Sequence, residues 1–104
     1  MDRLEKLREF LQAAPDDAFL KHAMALELIK LGKDAEARRL LEEILRHDPS
    51  YTGSYYQLAR LLERTGETAL ALQWYQKGMA AAKTAGEHRT YNELKAACED
   101  LLDN

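Results

Sequence analysis

Residues 51–83 read YTGSYYQLARLLERTGETALALQWYQKGMAAAK. Tyr55, Leu58 and Leu62 recur at intervals of three and four, the spacing that gathers apolar side chains on one face of an α-helix. Gly66 then interrupts the run, and Ala71, Trp74 and Tyr75 resume it. The stretch therefore predicts two amphipathic helices, roughly 51–64 and 67–84, joined by a connection of a few residues. A link that short turns the second helix back along the first, giving an antiparallel hairpin.

The same pattern lies 34 residues upstream. Pro15 and Pro49, Gly32 and Gly66, Ala37 and Ala71, and Leu28 and Leu62 all keep that offset. The upstream hairpin predicts helices at 16–31 and 34–47. The first carries Leu20, Met24, Ala25, Leu28 and Leu31 for packing; the second carries Ala37, Leu40, Leu41, Ile44 and Leu45. Gly32 ends the first, Asp34 can open the second, and Asp48-Pro49 stops it. A leading helix at 2–13 places Leu4, Leu7, Phe10 and Leu11 on one face, with Asp16 or Asp17 available to cap the helix after it. A closing helix at 87–102 offers Tyr91, Leu94, Cys98 and Leu101. Valine does not occur and isoleucine occurs only at Ile29 and Ile44, so strand-forming residues are scarce and the expected class is all-α.

A 34-residue helical hairpin that buries its apolar face only against its neighbours is the signature of a stacked array. The units resemble the tetratricopeptide repeat, whose pattern reads W-x2-L-G-x2-Y, then A-x3-F, then P. In residues 52–85 Tyr55 stands at the Trp position, followed by Leu58, Ala59 for Gly and Leu62 for Tyr, with Gly66 in the turn and Ala71 and Tyr75 on the second helix. In residues 18–51 Lys21 occupies the Trp position, its clearest departure, followed by Met24, Ala25, Leu28, Gly32, Ala37, Leu41 and Pro49. Residues 1–15 match the second helix of a leading half-unit, since Leu7, Phe10 and Pro15 precede Leu41, Ile44 and Pro49 by 34. Lys83 replaces the closing proline of the second unit, so the fifth helix is expected to run on. Residues 86–104 fit at an offset nearer 36 and suit a capping helix with a solvated face of Glu93, Lys95, Glu99 and Asp100. The resemblance implies one domain over 1–104, about six antiparallel helices stacked as a short right-handed superhelix.

The bulk properties agree with such a domain. The chain has 104 residues, 46% hydrophobic and 32% charged, with a formal charge of −3. A chain of this length buries roughly 65% of its unfolded surface, enough for a core without metal or disulfide staples. The acidic balance counts against nucleic acid. No apolar run reaches the roughly 18–20 residues that span a bilayer, and Met1–Glu9 alternates charges where a secretion signal would be apolar. Cys98, the single cysteine, has no intramolecular partner. The expectation is a cytoplasmic protein that does not act on membranes.

Catalytic spacing is missing. There is no HExxH, CxxC, phosphate-cradling glycine loop or GxSxG elbow, so neither catalytic residues, metal ligands nor a cofactor are expected. His22, His47 and His88 lie near the ends of different helices; His47 suits the free carbonyls of a helix C-terminus. Cys98 falls on the apolar stripe of its helix and reads as a buried, inert thiol.

The second helix has more apolar residues than one buried face can use. At 100° per residue Phe19, Ala23 and Leu26 point away from the packing stripe, flanked by His22, Ile29 and Lys30. Covering by the first helix is the alternative for Phe19 or Leu26. In the family that this chain resembles, that side of each unit's first helix lines a concave groove that takes a peptide or a partner helix. The matching positions are Tyr56, Gln57, Arg60, Glu63 and Arg64 on the fourth helix and Arg89, Asn92, Glu93 and Ala96 on the sixth. The expected ligand is a protein or peptide segment anchored by one apolar side chain and oriented by Gln57, Arg60 and Asn92. The carboxylate clamp of some chaperone-receiving relatives does not fit, because its positions hold His22, Leu26, Gln57, Arg89 and Glu93. A homo-oligomer or assembly factor using the same apolar face is the alternative, with the chain a monomer or weak homodimer. An RNA-binding helical repeat ranks lower, since it needs a basic surface.

Overall fold

The computed structural model describes residues 2–103. Six helices account for the regular structure among them: α1 (Arg3–Ala13), α2 (Ala18–Lys30), α3 (Asp34–His47), α4 (Gly53–Arg64), α5 (Thr68–Ala85) and α6 (His88–Leu102). Each expected helix is present with its ends moved by at most two residues. The helices form two compact units, one ending at Asp48 and the other beginning at Pro49.

In the first unit, α2 packs against both α1 and α3. Acidic caps start its first two helices: Asp2 accepts from the Glu5 amide at 2.9 Å and Asp17 from the Leu20 amide at 3.0 Å. Each satisfies an amide that the helix leaves without a backbone partner. The turn from α2 to α3 hinges on Gly32, whose φ of +76° is the left-handed conformation that glycine adopts without steric cost. It lets the Lys33 amide reach back to the Leu28 carbonyl at 2.8 Å, closing the helix end as a Schellman turn. Gly66 repeats this 34 residues later, with φ +84° and the Glu67 amide on the Leu62 carbonyl at 2.9 Å. The core of this unit is Leu7, Met24, Ala25, Leu28, Ala37, Leu41, Ile44 and Leu45.

Four details differ from the expectation. Asp34 does not cap α3; Lys33 holds that position and Asp34 sits inside the first turn, where its charge meets the helix dipole. Leu31 is exposed, because α2 ends at Lys30 and Leu31 is already its C-cap. Phe10 is exposed on α1 even though Leu7 is buried. Lys21, the misfit at the Trp position, is only 5% exposed: its stem is buried, and Nζ donates to Glu43 Oε1 at 2.8 Å. A long aliphatic stem can thus fill an aromatic's place, provided that its ammonium finds a carboxylate.

In the second unit, α5 packs against α4 and α6. The core comprises Tyr55, Leu58, Ala59, Leu61, Leu62, Ala71, Tyr75, Ala82, Leu94 and Cys98. The closest approach is at Gly78, where a Cβ would come within 2.6 Å of Tyr55 Cβ and 3.0 Å of Leu94 Cδ1. A hydrogen there lets α5 lie against the Tyr55 side chain and α6 at once. Tyr55 Oη donates to the Pro49 carbonyl at 2.6 Å, and its ring lies 6.0 Å from that of Trp74. As Lys83 in place of proline implied, α5 runs for 18 residues and stops at Gly86.

Candidate partner-binding surfaces

On α2 the second face is real. Phe19 is 70% exposed. His22, Ala23, Leu26 and Ile29 are half-buried and Lys30 is exposed. Phe19 is therefore not covered by α1, and it stands one and two turns from Ala23 and Leu26 on the same side of the helix. Burial pushes the His22 imidazole below its ordinary value, which favours the neutral ring and an apolar surface at neutral pH.

On the second unit the surface is polar and is built from its core outward. Tyr75 is fully buried on α5, yet its hydroxyl reaches Glu63 on α4 and donates to Oε2. Burial first, and then the Glu63 carboxylate, drive the Tyr75 phenol well above its usual value, so the hydroxyl keeps its proton and stays a donor. The same Glu63 oxygen lies 4.0 Å from the Arg60 guanidinium. Tyr56 packs on Tyr75 with ring centroids 6.4 Å apart at 67°. A buried tyrosine thus supports one aromatic and one charged pair on the outer face of α4.

Opposite them, α6 contributes the other wall of a shallow cleft of about 290 Å³, lined by Tyr56, Arg60, Glu93, Ala96, Ala97 and Asp100. The structure brings together four of the residues read as groove positions: Tyr56, Arg60, Glu93 and Ala96. Gln57, Arg64, Arg89 and Asn92 do not line this cleft; Gln57 is half-buried and the other three are exposed. Arg89 turns back on its own helix to Glu93 at 3.3 Å. Ala97 and Asp100 were not among the expected groove positions, and Asp100 was read with the solvated end face. The spacing 93, 96, 97, 100 is one helical stripe, so the signal exists in the sequence but is masked when Asp100 is assigned to the solvated end face alone.

Among the described residues no group of three or more His, Cys, Asp or Glu side chains is placed to hold a metal ion, and no helix is long and apolar enough to cross a membrane. Cys98 is buried, and its thiol is pushed up first by burial and then by Glu99. That suppresses the thiolate on which cysteine reactivity depends.

Comparison with known proteins accounts for the repeat. The family model described as Tetratricopeptide repeat matches residues 28–98. TPR repeat-containing protein PA0015 of Pseudomonas aeruginosa is 25% identical over 91 residues, covering 88% of this chain and 87% of that protein. Mouse interferon-induced protein with tetratricopeptide repeats 3 is 23% identical over 100 residues, 96% of this chain; the chain spans only 24% of its length. Among solved structures, a tetratricopeptide repeat domain protein from Salinibacter ruber superposes with a TM-score of 0.81 at 34% identity, over 84% of this chain and 88% of that one. The TPR2B domain of yeast Sti1, in a complex with pHsp70, gives a TM-score of 0.88 at 20% identity, over 96% of this chain and 80% of that one, a likeness of fold alone. With the 34-residue register, the glycine turns and the family model covering more than half of its length, the chain belongs to the tetratricopeptide repeat family, whose fold generally serves as a protein–protein interaction module.

Proposed function

We propose that this protein is a non-catalytic interaction module that binds a peptide or partner helix through outward helix faces, Phe19, Ala23 and Leu26 on α2 in the first unit and, separately, Tyr56 and Arg60 on α4 in the second. The observation that carries this reading is Phe19, an aromatic side chain 70% exposed on a helix whose packing needs are already met by Met24, Ala25 and Leu28. A large exposed ring beside half-buried apolar neighbours favours burial by a partner. The fold supports the same reading, as does the presence of a bound pHsp70 on the fold neighbour from Sti1.

The test is capture of partners from a cell extract by the wild-type chain and by Phe19→Ala, Leu26→Lys and Arg60→Glu, read by mass spectrometry. Capture should fall in each variant. The helicity of Phe19→Ala should be unchanged and its unfolding free energy should stay within about 0.5 kcal/mol of wild type, as for surface substitutions generally. An unchanged set of captured proteins, or a large loss of stability from Phe19→Ala, would overturn the proposal. The same exposed ring also suits a second copy of the chain as its cover. Light scattering across concentration separates that case, since association through Phe19 disappears in Phe19→Ala.

A further inference from the structure

Resting on that reading, we infer that the cleft between α4 and α6 receives an arginine side chain of an extended partner segment. The charge facing the cleft decides this. Arg60, its one cationic lining residue, leans on Glu63 of its own helix at 4.0 Å, and that carboxylate is itself anchored by the Tyr75 hydroxyl. On the α6 wall, Glu93 is paired with Arg89, whose side chain is 94% exposed, so water screens that pair strongly. The Asp100 carboxylate has no side-chain hydrogen bond or ion pair among the described residues and lies on the same wall. The cleft lining therefore carries two carboxylates to one guanidinium, and the excess negative charge lies on the α6 wall.

Shape agrees with charge. Glu93 and Asp100 are seven residues apart, about 10 Å along the helix, and between them Ala96 and Ala97 leave the floor low. The Tyr56 ring forms the facing wall. A planar guanidinium can lie against a tyrosine ring while donating to a carboxylate, which the compact lysine ammonium does less well. An acidic segment would meet Glu93 and Asp100 with like charge.

A five-residue peptide with a central arginine, titrated into the intact, isotopically labelled chain at low salt and followed by amide NMR shifts, tests the inference. Its citrulline, lysine and glutamate counterparts complete the set. The arginine peptide should move the amides of Ala96, Ala97 and Tyr56, with weaker shifts for lysine and none for citrulline or glutamate. Asp100→Asn and Glu93→Gln should each weaken arginine binding about two- to five-fold, the scale of a single exposed charge contact, and leave the unliganded spectrum otherwise intact. Equal shifts from citrulline, stronger shifts from glutamate, or no shift at Ala96 and Ala97 would overturn it. Any of those results alongside Phe19-dependent capture of protein partners removes this inference alone; loss of that capture removes the broader reading as well.

Discussion

Gly78 shows how much one hydrogen atom can decide. Alanine is the better helix former by about 1 kcal/mol, yet a Cβ here would stand 2.6 Å from Tyr55 Cβ, a contact that neither backbone can yield cheaply. Overpacking of this kind costs typically about 1–3 kcal/mol, so after the propensity gain Gly78→Ala is expected to be destabilised by up to about 2 kcal/mol, measured by urea denaturation. Lys21 poses the opposite problem, a charge held inside the structure by one carboxylate. The hydrogen bond from Lys21 is the main cause that holds Glu43 below the usual carboxylate value. A lowered folded-state value means that the bond contributes in full above the unfolded carboxyl's value, about 4.3, and is lost as pH falls through the lower value in the folded chain. Because the Glu43 side chain is 41% exposed, solvent screening holds the contribution to about 0.5–1 kcal/mol. Glu43→Gln should accordingly flatten the fall in melting temperature on acidification below the unfolded carboxyl's value while lowering stability slightly at neutral pH.

At the scale of the helix, α2 carries the central functional expectation. Its inward stripe is complete without Phe19, so truncating that ring should leave the thermal transition in place while reducing partner capture; calorimetry beside the capture assay measures both. How far the sequence can be read differs by element for physical reasons. The helix positions followed from glycine turns and a 34-residue register, because a left-handed φ at Gly32 and Gly66 and a three-to-four periodicity are local properties. Phe10 and Leu31 were misassigned to buried faces, because burial depends on what packs opposite, and periodicity says nothing of that. The Tyr75–Glu63–Arg60 arrangement was invisible for the same reason. Tyr75 read as core and Arg60 as surface, and both are true, but the hydroxyl that joins them through Glu63 spans two helices. Asp100 needed only its stripe with Ala96 and Ala97 to be noticed.

Within each unit the main packing is between chain neighbours: α1 with α2 and α2 with α3 in the first, α4 with α5 and α5 with α6 in the second. Proteins dominated by such short-range contacts close small loops and fold in microseconds to milliseconds. Stopped-flow refolding at 25 °C should therefore show its main phase with a half-time below about 10 ms. The two compact units each have their own core, and the single tryptophan belongs to only one of them. Trp74 lies beside the Tyr55 ring of α4, a neighbour that is lost once α4 and α5 part. Selective indole excitation thus makes the later half of the chain luminous and leaves the earlier half dark, a native optical label that needs no engineered fluorophore.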